Sequence, residues 1–172
     1  MAEMEILRAA RPYEDVFLDD PADNPDARRF RVWFDDENVE LLLAKVADAI
    51  DRAQSINSAI DAAENREQRA EAVKTMAKLE KRVIVAFIGV DGWVALLDWM
   101  GGREAVDPEE CTIALGEVMA QLLMMLGRKA TSEQLRRCGL YYSQENAMTK
   151  ALMQAQRADA PKAAQGGKKR RK

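Results

Sequence analysis

Residues 37–63 read ENVELLLAKVADAIDRAQSINSAIDAA, and this stretch decides what kind of fold the chain can adopt. Val39, Leu43, Val46, Ile50, Ala53, Ile56, Ile60 and Ala63 recur at steps of three and four, which lines them along one face of a helix. Asp35 or Asp36 is placed to cap the start, because a carboxylate there can accept from the orphan N–H groups of the first turn. An apolar stripe of that length needs a second element to cover it. The polar run AENREQRAEA at 63–72 breaks the pattern, and Val73, Met76, Leu79, Val83 and Phe87 then form a second stripe. Two long antiparallel helices joined near residues 64–68 are predicted.

Upstream the period changes from helical to alternating. In RFRVWF at 29–34, Phe30, Val32 and Phe34 alternate with Arg31 and Trp33, the pattern of a half-buried strand. EDVFLD at 14–19 is its expected hairpin partner, with DDPADNPDARR between them reading as a loop. Two strands alone are marginal in water, so the hairpin requires helix cover.

Downstream, residues 87–102 read FIGVDGWVALLDWMGG. Gly89 is expected to end the second helix and Asp91 to cap a short one running to Met100. Trp93, Leu96, Leu97 and Met100 fall on its inner face, and Trp99 falls beside that face. Gly101-Gly102 then stops it. At DPEE, 107–110, Asp107 as cap and Pro108 at the first helical position predict a further helix, with Glu110 completing the capping arrangement. That helix should bury Cys111, Leu115, Val118, Leu122 and Met125 and close at Gly127. TSEQL at 131–135 reads as another start, Thr131 facing Gln134, with Gly139 breaking the turn. SQENAMTKALMQAQR at 143–157 reads as a polar, weakly amphipathic helix, and DAPKAAQGGKKRRK at 159–172 as disordered. The expected fold class is mainly α. It comprises a hairpin-bearing acidic segment at 1–36, a small helical bundle at 37–157 and a disordered basic tail at 158–172.

Composition narrows the chemistry. The 172 residues include no histidine, which excludes an imidazole base, a Ser-His triad and any zinc site using His. Neither a Walker-type phosphate loop nor a dinucleotide fingerprint occurs. The clusters Asp35, Asp36, Glu37 and Asp19, Asp20 read as solvated caps and turns rather than metal ligands. The expectation is a protein without enzymatic activity, cofactor or metal. Cys111 and Cys138 lack metal or redox spacing and read as small packing residues in a reducing compartment. No run approaches the length of a membrane span, and the acidic start lacks a signal-peptide core, so a cytoplasmic location is expected.

Charge is unevenly spread. Seven basic residues and one acid between Arg157 and Lys172 leave +6 there, against −9 on the remaining 156 residues and −3 overall. Lys168, Lys169, Arg170, Arg171 and Lys172 form a cationic end able to bind phosphates, but no interleaved aromatics offer base stacking. A helix-turn-helix over 131–156 would place only Lys150 and Arg157 as cations on its second helix, too few donors for DNA reading. Met119 and Met125 read as core, whereas Met148 and Met153 stay open as docking residues. The candidate partner-binding residues are Phe87, Trp93, Leu96, Trp99 and Met100, with Trp99 the best exposed anchor, since aromatics dominate binding hot spots.

The order Phe87, Gly89, Gly92, Leu96, Leu97, Gly101, Gly102 and Cys111, preceded by a strand and a long polar helix pair, resembles the tail assembly chaperones of long-tailed bacteriophages of Gram-positive bacteria. The resemblance covers roughly residues 29–126 and rests on order and spacing. It implies a small helical, non-enzymatic protein that coats the tape-measure protein and recruits tail-tube subunits in the host bacterial cytoplasm. It further implies departure before the virion is complete, and a longer form made by frameshifting near QGGKKRRK. Self-association is a further expectation. The rival expectations are a scaffolding-type assembly protein, or a nucleic-acid-binding regulator, either acting through the basic tail.

Overall fold

The computed structural model describes residues 12–101 and 106–140. The expected helix at 143–157 and the basic tail, with Met148, Met153 and Lys168–Lys172, lie outside the described residues. Two strands, β1 (Tyr13–Phe17) and β2 (Arg29–Trp33), precede four helices: α1 (Asp36–Asp61), α2 (Arg66–Gly101), α3 (Thr112–Lys129) and α4 (Ser132–Arg137). The mainly helical class with an N-terminal hairpin is as expected.

The long stripes pair as their spacing requires. Val39, Leu43, Val46, Ile50, Ala53 and Ile56 of α1 are buried, together with Leu42 and Ala49. Leu79, Val83 and Phe87 of α2 are buried with them, and Val73 and Met76 are partly so. Asp35, rather than Asp36, caps α1 by accepting from the Asn38 backbone N–H at 3.0 Å. That bond holds the Asp35 carboxyl below its usual range. The helices run antiparallel, with Arg82 of α2 reaching Asp48 of α1 at 3.3 Å.

Gly89 ends one helical segment and a second follows it to Gly101, as expected, so α2 is two helices joined at a kink. The Gly89 φ of 75° and ψ of 176° are open to glycine and costly for other residues, and among the described residues Asp91 makes no capping hydrogen bond. Across the kink Lys81 Nζ lies 5.8 Å from the Trp93 ring centroid. Gly92 completes the turn, since a Cβ there would stand 2.8 Å from the Ile88 side chain. By length and composition α2 could cross a membrane, a point that scanning for unbroken apolar runs misses because Asp91 and Asp98 interrupt it. Here the same residues supply Ile84, Phe87, Trp93 and Leu96 to the core.

DPEE does not open α3 directly. The Asp107 carboxylate accepts from the Glu109 N–H, two residues on, at 2.9 Å, so Pro108–Glu110 close into a single 3₁₀ turn. The α-helix begins at Thr112, with no side-chain cap at Cys111. It buries Leu115, Met119, Leu122, Leu123, Met125 and Leu126 and runs on to Lys129, past Gly127. Cys111 and Val118, expected in this core, are only partly buried. The Thr131–Gln134 capping box forms as expected, and Gly139, at φ 73°, ends α4 so that Leu140 returns to the core.

The hairpin lies over this bundle. Tyr13 pairs with Trp33 and Phe17 with Arg29 in an antiparallel register. Val32 and Phe34 are buried, while Arg31 and Trp33 face out. Glu14 ties β1 to the end of α3 through Arg128 at 3.4 Å and Lys129 at 3.1 Å.

Candidate functional site

The expected docking residues separate into two groups. Phe87, Trp93 and Leu96 are 6%, 4% and 2% exposed and belong to the core. Met100 is partly buried, and Trp99 is 49% exposed. The bend at Gly89 explains the split, because it turns the Trp93–Leu96 face inward and leaves Trp99 at its edge. Trp99 is therefore the exposed member of the expected ridge.

Its surroundings make a groove. Trp99 from the last turn of α2, Phe17 from the end of β1 and Met124 from α3 line a cleft of about 480 Å³, floored by Leu96, Leu122 and Met125. Phe17 and Met124 are 39% and 42% exposed. Three large apolar side chains brought together from a strand and two helices form a patch that water covers poorly. Neither Phe17 nor Met124 was legible as a site residue. Phe17 ends a strand on the same face as Tyr13 and Asp15, and Met124 sits off the apolar stripe of α3. A signal for Met124 does exist in sequence, since it interrupts Leu122-Leu123 and Met125-Leu126 at a position the helix period sends outward.

The rim is polar and already paired. The Trp99 indole N–H donates to Asp19 Oδ1 at 2.8 Å, and the other oxygen of that carboxylate accepts from Asn24 Nδ2 at 3.0 Å. Asn24 is itself fixed by the loop, its backbone N–H donating to the Asp20 carbonyl at 2.9 Å. The loop joining β1 to β2 thus holds the tryptophan edge, leaving the ring available to an apolar partner with no polar atom stranded. On the opposite side the Glu14–Arg128–Lys129 cluster closes the rim. Among the described residues the groove presents apolar surface without an unpaired charge, which suits reversible recognition of an apolar side-chain row.

Among the described residues no group of three His, Cys, Asp or Glu side chains could hold a metal ion. Burial raises both thiols, with Asp107, Glu110 and Glu80 adding to the effect at Cys111 and Glu40 at Cys138, so both stay protonated at neutral pH.

Sequence reading missed one titratable group. Glu80 on α2 is 4% exposed, and its Oε2 has no hydrogen-bond partner among the described residues. Its other oxygen approaches α3 where Gly116 leaves room, since a Cβ on Gly116 would lie 3.5 Å from Oε1. Burial pushes this carboxyl up to about 7. The signal was present: Glu80 is four residues after Met76 and four before Ile84, on the inward side of the stripe.

No known protein family, curated protein or solved structure matches the chain.

Proposed function

We propose that the protein is a non-enzymatic assembly chaperone that shields an exposed apolar helix face of a larger partner in the Trp99 groove. On the tail-assembly resemblance, that partner would be a phage tape-measure protein, with tail-tube subunits recruited in turn, in the bacterial cytoplasm. One observation carries the reading: Phe17, Trp99 and Met124 are exposed side by side in a cleft whose rim charges are already paired. A long helix with a repeating apolar face aggregates in water, and a groove of this kind covers part of that face. Coverage by a few side chains gives the moderate affinity that later release requires.

The test is co-expression with a helical tape-measure fragment, followed by measurement of the soluble fraction and of affinity by titration calorimetry. The full chain keeps the fragment soluble, and Trp99→Ala weakens binding by roughly 30-fold, the effect of losing an aromatic hot spot. Met124→Glu, at an exposed position, has a similar effect without disturbing the core. Truncation after Arg157 leaves binding intact. If truncation abolishes it and Trp99→Ala does not, a scaffolding role of the basic tail replaces this reading.

A further inference from the structure

The Trp99 groove leaves the seam between α1 and α2 unexplained. Three concavities adjoin along it. The central one, about 510 Å³, is walled by Lys45 of α1 and by Lys78, Lys81 and Arg82 of α2, above Val85 and Ala86. It shares Lys45 and Ala86 with a smaller hollow toward the hairpin that includes Trp33 and Leu41. In the other direction it shares Lys78 and Arg82 with a hollow reaching Ile56 and Thr75. From Thr75 to Phe87 the seam follows α2 for twelve residues, about 18 Å or just over three helical turns.

Its charge runs against that of the chain. Arg82 and Arg52 share Asp48 at 3.3 and 3.1 Å, and Arg31 pairs with Asp15 at 2.9 Å. Lys45, Lys78 and Lys81 are exposed and have no carboxylate partner among the described residues, and no acid lines the central hollow. Beside them Trp33 and Leu41 are 49% and 53% exposed. A row of lysines without carboxylate partners, of which Lys81 lies over the Trp93 ring at 5.8 Å, stands above an apolar floor flanked by exposed apolar side chains and calls for a ligand carrying both negative charge and apolar groups.

We propose that the α1–α2 seam docks an acidic amphipathic helix from a partner protein. Its carboxylates meet Lys45, Lys78 and Lys81, and its apolar side chains rest on Val85, Ala86, Trp33 and Leu41. Lys78 and Lys81 are three apart on one helix face, so carboxylates spaced at three or four residues on a facing helix can reach both. The shape and length fit helix-in-groove recognition. Nucleic acid fits less well. Asp48 sits within the seam and Asp51 lines its far hollow, so a phosphate chain would meet carboxylates as well as lysines. One side of Trp33 is taken by Tyr13, edge-on at 5.3 Å, which reduces its value for base stacking.

The test uses the full chain with ¹⁵N-labelled tryptophan and an 18-residue synthetic helix bearing Glu on one stripe and Leu beside it. The Trp33 indole resonance shifts saturably, the Trp99 resonance stays in place, and binding weakens as salt rises. The double charge reversal Lys45→Glu/Lys78→Glu, both at exposed positions, lowers affinity at least about tenfold while the spectrum stays folded. The proposal falls if Trp33 is unmoved at millimolar peptide, or if the reversed variant binds equally well. Displacement of the peptide by duplex RNA at lower concentration would assign the seam to nucleic acid instead. Concentration-dependent self-association that the reversal abolishes would assign it to a second copy. Because the reporter is Trp33, failure here leaves the Trp99 groove untouched.

Discussion

Glu80→Gln isolates a single proton. In the unfolded chain this carboxyl ionises near its ordinary 4.5, whereas in the fold it holds its proton to about 7. The folded state therefore binds more protons than the unfolded state between those values, and stability falls as pH rises through that window. Below the window the contribution is fully present, and above about 7 the folded carboxylate ionises and the loss levels off. A shift of that size corresponds to at most about 3 kcal/mol, or roughly 6–12 °C in Tm for a chain this long. The chain has no histidine, so few other groups titrate between pH 5 and 7.5 and Glu80 dominates the profile. The assay is urea denaturation at half-unit steps from pH 5 to 8, wild type beside Glu80→Gln. Wild type should lose stability across the range while the variant stays nearly level. The amide sets a different baseline because its N–H₂ also lacks a partner, but the slope is the readout. A wild-type profile without slope, or the same slope in the variant, refutes the assignment.

Three further substitutions test the fold. Gly89→Ala meets no atom within 4 Å, so its cost, about 1–3 kcal/mol in chemical denaturation, reflects backbone conformation alone. Leu115→Ala empties a fully buried site on α3 and should cost roughly 2–5 kcal/mol by the same measurement. Thr131→Ala breaks the capping box of α4, costing about 1 kcal/mol, visible as faster amide exchange at Leu135 with a smaller effect on α1.

The parts of the fold legible in sequence are those set by local periodicity. Ile50 and Ala53 are buried because the helix period puts them on one side, and Phe30, Val32 and Phe34 alternate inward because the strand period is two. Gly139 and Thr131 were readable for the same reason, since a helix end is solved within a few residues. Gly89 was legible as the break between two helices, because only glycine takes its backbone conformation cheaply. The Asp91 cap was not, since how the second segment starts depends on what it packs against. At Asp107 the competition between a bond to Glu109 and one to Glu110 decides between a 3₁₀ turn and an α-helix, a choice too fine for spacing rules. The groove was legible at Trp99, which falls off its stripe, and illegible at Phe17 and Met124. Their proximity comes from laying a hairpin over two helices distant in sequence.

The central claim is that the Trp99 groove receives an apolar helix, and the indole N–H of Trp99 reports on it directly because it donates to Asp19 at the groove rim. The measurement is a titration of the ¹⁵N-labelled full chain with the helical tape-measure fragment, following three indole resonances assigned by Trp→Phe variants. The account predicts a saturable shift at Trp99 with little change at buried Trp93 and none at Trp33. Binding that leaves the Trp99 resonance unmoved would contradict it.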